Sequence, residues 1–117
     1  MRRDPAFVDD ILRACNEIQR LCSGRSADEA ESDPTIRAAL LHQLTVIGEA
    51  ANRLSDELRV AHPSIPWPDI VSQRNRIVHG CFGLDWRLVW HSATRGVPDL
   101  KAWAEAVLRE EPGEDEA

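Results

Sequence analysis

The chain is organised around residues 72–86, which read Ser-Gln-Arg-Asn-Arg-Ile-Val-His-Gly-Cys-Phe-Gly-Leu-Asp-Trp. Arg74, Asn75, Arg76 and His79 lie within six positions on a short predicted helix that ends at Gly80. Arginine binds phosphate through paired hydrogen bonds, and an imidazole moves protons near neutral pH, so these groups could bind and cleave a phosphodiester. They could equally be solvated charges at a helix end, where the macrodipole favours cations. The pattern alone leaves both interpretations open.

Apolar residues recur at steps of three and four on either side of this stretch, which predicts amphipathic helices. The first is expected from Asp4-Pro5 to Gly24, and the second from Asp33-Pro34 without interruption to His62-Pro63. Residues 23–32, which are small, polar and acidic, are expected to form a loop between them.

The third predicted helix begins near Pro68, and a last one follows Gly96-Val97-Pro98, which is expected to kink or break the chain. No segment alternates as a strand does. The predicted fold class is therefore all-α, an antiparallel bundle of four to five helices.

The length and charge of the chain limit what it can be. A chain of 117 residues suits one domain, predicted at residues 1–110, and the acidic residues 111–117 are expected to be disordered. A net charge of -6 argues against nucleic-acid binding over the whole surface. Residues 71–96, however, hold four arginines against Asp85 alone, so a local basic surface coincides with the motif. Arg76 and Arg87 are the predicted RNA-binding residues of this surface.

Cysteine and histidine usage predicts no disulfide, metal or cofactor. Cys15 and Cys22 are seven positions apart on one predicted helix, too far to bridge, so the three cysteines are expected to be reduced thiols. The four histidines show no metal-type spacing. No apolar run approaches the roughly 20 residues of a membrane span, and the N-terminus lacks an apolar signal core, so no membrane association and a cytoplasmic location are expected.

Small residues interrupt the apolar pattern of the second predicted helix at Gly48 and at Ala50-Ala51, which indicates that a neighbouring helix approaches closely there. Glu49 and Asn52 lie three positions apart on one face. They either stay solvated or reach the arginine-rich segment across the bundle. Solvation is the expected state, because most charges on helix surfaces need no partner.

Three segments together resemble one known family. Arg-Asn-Arg-Ile-Val-His-Gly at 74–80 resembles the Arg-x4-His segment of HepT-type proteins in the HEPN superfamily. Ile-Gly-Glu-Ala-Ala-Asn-Arg-Leu-Ser at 47–55 and His-Pro-Ser-Ile-Pro-Trp at 62–67 resemble that family in the same order and at similar spacing. The motif alone is a weak pattern, but the likeness extends over residues 5 to 110. It implies a HEPN-like bundle, a homodimer and a metal-independent ribonuclease toxin that acts on RNA.

Within the resemblance, Arg74 and His79 are the catalytic pair and Asn75 is the polar neighbour of the motif. Cleavage by the RNA's own 2′-hydroxyl needs a base, an acid and a cation, which these residue types can supply. A spacing of five turns two side chains about 140° apart on a regular helix. The pair therefore converges only if the last turn unwinds at Gly80 or if a second protomer completes the site.

The sequence departs from the family pattern at one position. The pattern usually continues His-x-Tyr, where a partner nucleotidyltransferase antitoxin attaches AMP to the tyrosine, but this position is Cys81 and the chain has no tyrosine. Neutralisation would then use Ser72, Ser92 or Thr94, or binding alone. The alternative function is a non-catalytic HEPN helical module that binds a nucleotidyltransferase partner or a nucleotide.

Overall fold

The computed structural model describes residues 3–80 and 83–110. Within these ranges the chain forms seven α-helices and one π-helical segment, and no strand. The elements are α1 (Arg3–Cys22), α2 (Ala27–Ser32), α3 (Pro34–Arg53), α4 (Asp56–Ala61), α5 (Trp67–Val78), α6 (Trp86–His91), the π segment (Ser92–Gly96) and α7 (Val97–Glu110). The predicted all-α class is confirmed. The expected disordered tail, 111–117, lies outside the described residues, and the domain boundary at 110 stays a prediction.

The core forms where α1 packs against α3 and α7, and α3 in turn packs against α5. Val8, Ile11, Ile18 and Leu40 are fully buried there because the apolar stripes of α1 and α3 face each other. The start of α1 lies beside the end of α3, since the Asp4 carboxylate accepts hydrogen bonds from residue 55. These two helices are therefore antiparallel, as expected for the bundle.

The prediction of a loop at 23–32 is wrong in its second half, where α2 forms. The Ser26 hydroxyl accepts a hydrogen bond from the Glu29 N–H (3.1 Å), and the Glu29 carboxylate accepts one from the Ser26 N–H (2.8 Å). This reciprocal pair is a capping box, the Ser-x-x-Glu signature of a helix start. The hydrogen bond from the Ser26 backbone also lowers the pKa of Glu29. Trp86 Nε1 donates a hydrogen bond to the Ala27 carbonyl at 2.8 Å, and this bond connects α2 to α6.

The second predicted helix is not continuous to His62, because it breaks after Arg53. Leu54 is extended (φ -65°, ψ 150°), and the Ser55 hydroxyl accepts from the Leu58 N–H at 3.2 Å to cap α4. The Asp4 carboxylate accepts from both the Ser55 N–H (2.9 Å) and the Ser55 hydroxyl (2.6 Å). The bond to Asp4 thus replaces the helical hydrogen bond that the Ser55 N–H would otherwise donate, while the Ser55 carbonyl still accepts from the Arg59 N–H.

Gly96-Val97-Pro98 was predicted to kink or break the chain, and the break does not occur, since helical structure runs from Trp86 to Glu110. The π segment ends directly before Pro98, and the Val97 N–H donates to the Ser92 carbonyl, five residues back. Proline has no N–H, so a helix passes it most easily where the hydrogen-bond register already changes. The prediction of a last helix is confirmed, and this helix, α7, continues from α6 through the π segment without a break.

The turn after α5 follows the predicted pattern. Gly80 adopts a φ of 78°, the left-handed conformation that glycine supplies at helix ends, and Gly83 has a φ of 81°. Asp85 caps α6 by accepting from the Arg87 N–H at 2.9 Å. Cys81, the position at which the family usually has tyrosine, lies outside the described residues.

The described cysteines belong to the bundle interior. Cys15 and Cys22 are free thiols. Burial raises the pKa of the Cys15 thiol to about 12, and the nearby Lys101 opposes this only in part. Burial also raises the pKa of Cys22. Neither thiol is an activated nucleophile, since such groups have lowered pKa values. In the described ranges no helix is both long and apolar enough to span a bilayer.

Candidate active site

Arg74 lies on the face of α5 that packs directly against Gly48 of α3. A Cβ atom at Gly48 would lie 2.2 Å from the Arg74 Cβ, 2.7 Å from its Cγ and 3.3 Å from the Ile70 carbonyl oxygen. Real Cβ atoms do not approach side-chain or backbone atoms so closely, so any side chain at position 48 would push the two helices apart. The predicted close packing at Gly48 is confirmed, and its partner is the motif arginine.

The Arg74 guanidinium is held by two neighbours. Its Nη1 donates to Asn75 Oδ1 at 2.8 Å, and its Nη2 lies 3.8 Å from Glu49 Oε1. The second distance is that of an ion pair without a good hydrogen bond. The expectation that Glu49 stays solvated holds in part, because its side chain is 48% exposed. It also reaches Arg74, since the missing side chain at Gly48 brings α3 close to α5.

The same guanidinium keeps donors that the described residues do not use. Arg74 Nε is buried and has no hydrogen-bond partner in residues 3–80 and 83–110. The Arg74 side chain is 29% exposed, so the group is partly shielded yet reachable. A guanidinium carries five N–H donors, of which Asn75 takes one. The remaining Nη donors can bind an anion such as a phosphate oxygen.

His79 lies at the C-terminal end of α5 and is exposed. The backbone N–H of His79 donates to the Asn75 carbonyl at 3.0 Å, so the last turn of α5 remains helical up to His79. In the described part of the chain no hydrogen bond or ion pair joins its imidazole to Arg74. The last turn of α5 does not unwind before Gly80, so unwinding does not bring Arg74 and His79 together within one chain.

The sequence matches one protein family over most of its length. The family described as ribonuclease HepT-like matches residues 11–107. This chain belongs to the HepT-like ribonuclease family. The resemblance inferred from the Arg74 motif and the two upstream segments is confirmed.

Curated relatives of this HepT-like protein cover nearly the same length. "Putative RNase TTE0752" of Caldanaerobacter subterraneus subsp. tengcongensis is 28% identical, over 95% of this chain and 99% of its own. "Putative RNase MJ1380" of Methanocaldococcus jannaschii is 32% identical, over 87% of this chain and 94% of its own. "Probable ribonuclease HepT" of Thermococcus cleftensis is 27% identical, over 81% and 86%. No solved structure matches the chain.

The other predicted RNA-binding arginines of the HepT-like protein lie apart from Arg74. Arg76 donates to the Ser72 hydroxyl at 3.2 Å. It also lines a cavity of about 580 Å³ together with His91 and Arg95. Arg74 does not line this cavity. Arg87 is exposed at the start of α6. Side chains two positions apart on a helix point about 200° from each other, which explains why Arg74 and Arg76 do not share a surface.

A second groove adjoins Arg74 through Asn75, and the sequence did not indicate it. This amide groove, as we name it, is lined by residues of α3, α4, α5 and the connection before α5: Asn52, Arg59, Val60, Pro63, Ile65, Trp67, Pro68, Val71, Ser72 and Asn75. Val60 is 77% exposed, more than Leu88 (56%) or Val78 (46%). The chain changes direction at the extended Leu54, and residues of both α3 and α4 then line this groove.

Metal-ligand clustering is not a feature of the described residues. Within 3–80 and 83–110, no three His, Cys, Asp or Glu side chains are grouped as they would be to hold a metal ion. Around the motif, Arg74 contacts Asn75 and Glu49, and the group there that suits an anionic ligand is the Arg74 guanidinium.

Proposed function

We propose that this chain is a metal-independent endoribonuclease in which the RNA's own 2′-hydroxyl attacks the adjacent phosphate. The observation that carries the proposal is the restrained Arg74 side chain, whose Cβ and Cγ pack on Gly48 and whose guanidinium donates to Asn75. His79 is exposed at the end of the same helix. Membership of the HepT-like ribonuclease family supports it.

The chemistry assigns one role to each group. The His79 imidazole removes the 2′-hydroxyl proton, and the 2′-oxygen forms a bond to phosphorus. Arg74 binds the non-bridging oxygens and stabilises the negative charge that grows on the phosphorane. The bond from phosphorus to the 5′-oxygen then breaks, and a protonated imidazole supplies the proton to the leaving oxygen. Asn75 acts as the positioning residue for Arg74.

The products of cleavage test this mechanism. We expect a 2′,3′-cyclic phosphate on one fragment and a free 5′-hydroxyl on the other, because the attacking oxygen comes from the substrate and not from water. Total RNA is incubated with purified protein in excess chelator, and the ends are identified by kinase labelling and mass spectrometry. An RNA with 2′-deoxyribose at the scissile nucleotide serves as the matched control and should stay intact. Fragments with 5′-phosphates, or loss of cleavage on chelation, would point instead to metal-activated water.

We further propose that the site is shared by two protomers, because the closed last turn of α5 leaves Arg74 and His79 uncontacted within one chain. In a homodimer with opposed motifs, Arg74 of one protomer would face His79 of the partner subunit, and the imidazole that takes up the 2′-hydroxyl proton returns it to the 5′-oxygen.

Mixing two inactive variants tests the shared site. Arg74→Ala and His79→Ala chains are unfolded together and refolded at equal amounts, so that half of the dimers are mixed. Each mixed dimer would hold one intact pair, and we expect roughly one quarter of the wild-type cleavage rate to return. Each variant refolded alone is the control. If the mixture stays as inactive as its components, the catalytic pair lies within one chain.

The biological role that we propose is that of a cytoplasmic toxin paired with a nucleotidyltransferase antitoxin. With Cys81 where the family usually has tyrosine, neutralisation proceeds by binding over the motif or by modification of a hydroxyl such as Ser72, which is exposed on α5. Mass spectrometry of the chain after incubation with the antitoxin and ATP distinguishes the two routes. A mass increase on a seryl residue indicates modification, and an unchanged mass with lost activity indicates binding alone.

A further inference from the structure

We propose that the amide groove holds the base of the nucleotide next to the scissile phosphate, and that Asn52 selects that base. The proposal rests on the ribonuclease function above. Asn52 would then be a specificity-determining residue, separate from the Arg74 and His79 pair that carries out the reaction.

The first argument is continuity with Arg74. Asn75 Oδ1 accepts a hydrogen bond from Arg74 Nη1 (2.8 Å), and Asn75 also lines the amide groove. A phosphate bound to the Arg74 donors is therefore one residue away from this groove. The cavity that contains Arg76 and His91 does not include Asn75. A base attached to that phosphate reaches the amide groove first.

The second argument is the charge of the groove. Among the described residues that line it, Arg59 is the one cation, and the Arg59 Nη2 is already paired with Asp56 Oδ1 at 2.6 Å. The remaining lining is apolar or carries amide and hydroxyl groups. A phosphate would find little attraction there, whereas a neutral heterocycle suits an apolar wall with a few hydrogen-bonding groups.

The third argument is the arrangement of those groups. Val60 exposes 77% of its surface, and Pro63, Pro68 and Val71 line the same groove, so a base can lay its flat face on apolar atoms. Asn52 is exposed, and in residues 3–80 and 83–110 its amide makes no hydrogen bond. An asparagine amide offers a donor and an acceptor together, which is the pattern that matches the edge of a base.

Two substitutions at Asn52 test the assignment. Asn52→Leu keeps the size of the side chain but removes both hydrogen-bonding groups, and Asn52→Asp replaces the donor by an acceptor. Asn16→Leu, at an exposed position of α1, is the matched control. Each protein cleaves a randomised RNA pool, and the bases beside the new 5′-hydroxyl ends are counted by sequencing. We expect the wild-type base preference to weaken at least about fivefold in Asn52→Leu and to shift to another base in Asn52→Asp, with Asn16→Leu unchanged.

Binding is measured in parallel, so that failure of the ribonuclease function is distinguished from failure of the groove. The probes are four fluorescent 2′-O-methyl homopentamers, one for each base, which cannot be cleaved by 2′-hydroxyl attack. Wild-type protein should bind one of them at least about fivefold more tightly than the others, and Asn52→Leu should lose this difference. If this holds but no RNA is cleaved, the ribonuclease function is wrong and the base site stands.

Three outcomes overturn the proposal. The first is cleavage by Asn52→Leu with an unchanged base profile. The second is equal binding of all four homopentamers by the wild-type chain. The third is a Val60→Ser variant that changes the mass measured by light scattering while its base profile stays intact, because the groove would then be a protein interface.

Discussion

Replacing Arg74 by alanine should lower the rate of RNA cleavage at least about 100-fold, since removing one preorganised donor to a developing oxyanion costs that much in other enzymes. The fold should survive, because the ion pair with Glu49 spans 3.8 Å and is partly exposed, so it adds little stability. Initial rates on a fluorescent RNA, with circular dichroism on the same samples, measure both effects.

The control for Arg74→Ala is Arg13→Ala, which removes an arginine whose side chain is 80% exposed on α1. It should cleave RNA at the wild-type rate. Arg74→Lys should keep more activity than Arg74→Ala but less than wild type, because lysine supplies one point charge in place of a planar guanidinium with paired N–H donors. An Arg74→Ala protein within threefold of wild type would remove this residue from the reaction.

Replacing Gly48 by alanine should lower both stability and cleavage. The added Cβ would meet the Arg74 Cβ at 2.2 Å, and neither atom can rotate away because both are fixed to helix backbones. Overpacking of this kind costs about 1–3 kcal/mol, and it outweighs the gain of up to about 1 kcal/mol from the better helix propensity of alanine. We expect a net loss of about 1–2 kcal/mol in the free energy of unfolding. Cleavage falls as well, because α5 must shift and carries Arg74 with it.

The matched control is Gly96→Ala, since nothing lies within 4 Å of a Cβ built there. Two double variants locate the clash. Gly48→Ala with Arg74→Gly removes the opposing Cβ, so it should regain part of the stability although it lacks the catalytic arginine. Gly48→Ala with Arg74→Ala keeps that Cβ and should not regain stability. Denaturant titration measures all of these proteins. A Gly48→Ala chain as stable and as active as wild type would show that close approach of the helices is not needed.

Local signals predicted correctly most of the elements around the motif. The helix end at Gly80 and the start of α3 at Asp33-Pro34 each depend on a few neighbouring residues, so their sequence signatures suffice. The capping box at Ser26 and Glu29 was equally local, and the sequence could have predicted α2 from it. The small residue at Gly48 correctly indicated close packing, although not which side chain it meets.

The sequence by itself determined the all-α class and the family, and it supplied the motif that we propose to be catalytic, because periodicity and capping act within one or two helical turns. Only the tertiary structure decided the rest. The break at Leu54 depends on Asp4, which lies 51 positions from Ser55 in the chain. Contact between Glu49 and Arg74 requires α3 and α5 to meet at Gly48, and the amide groove requires residues of α3, α4 and α5 to come together. Such contacts join segments far apart in the chain, so no local pattern can encode which side chains will touch.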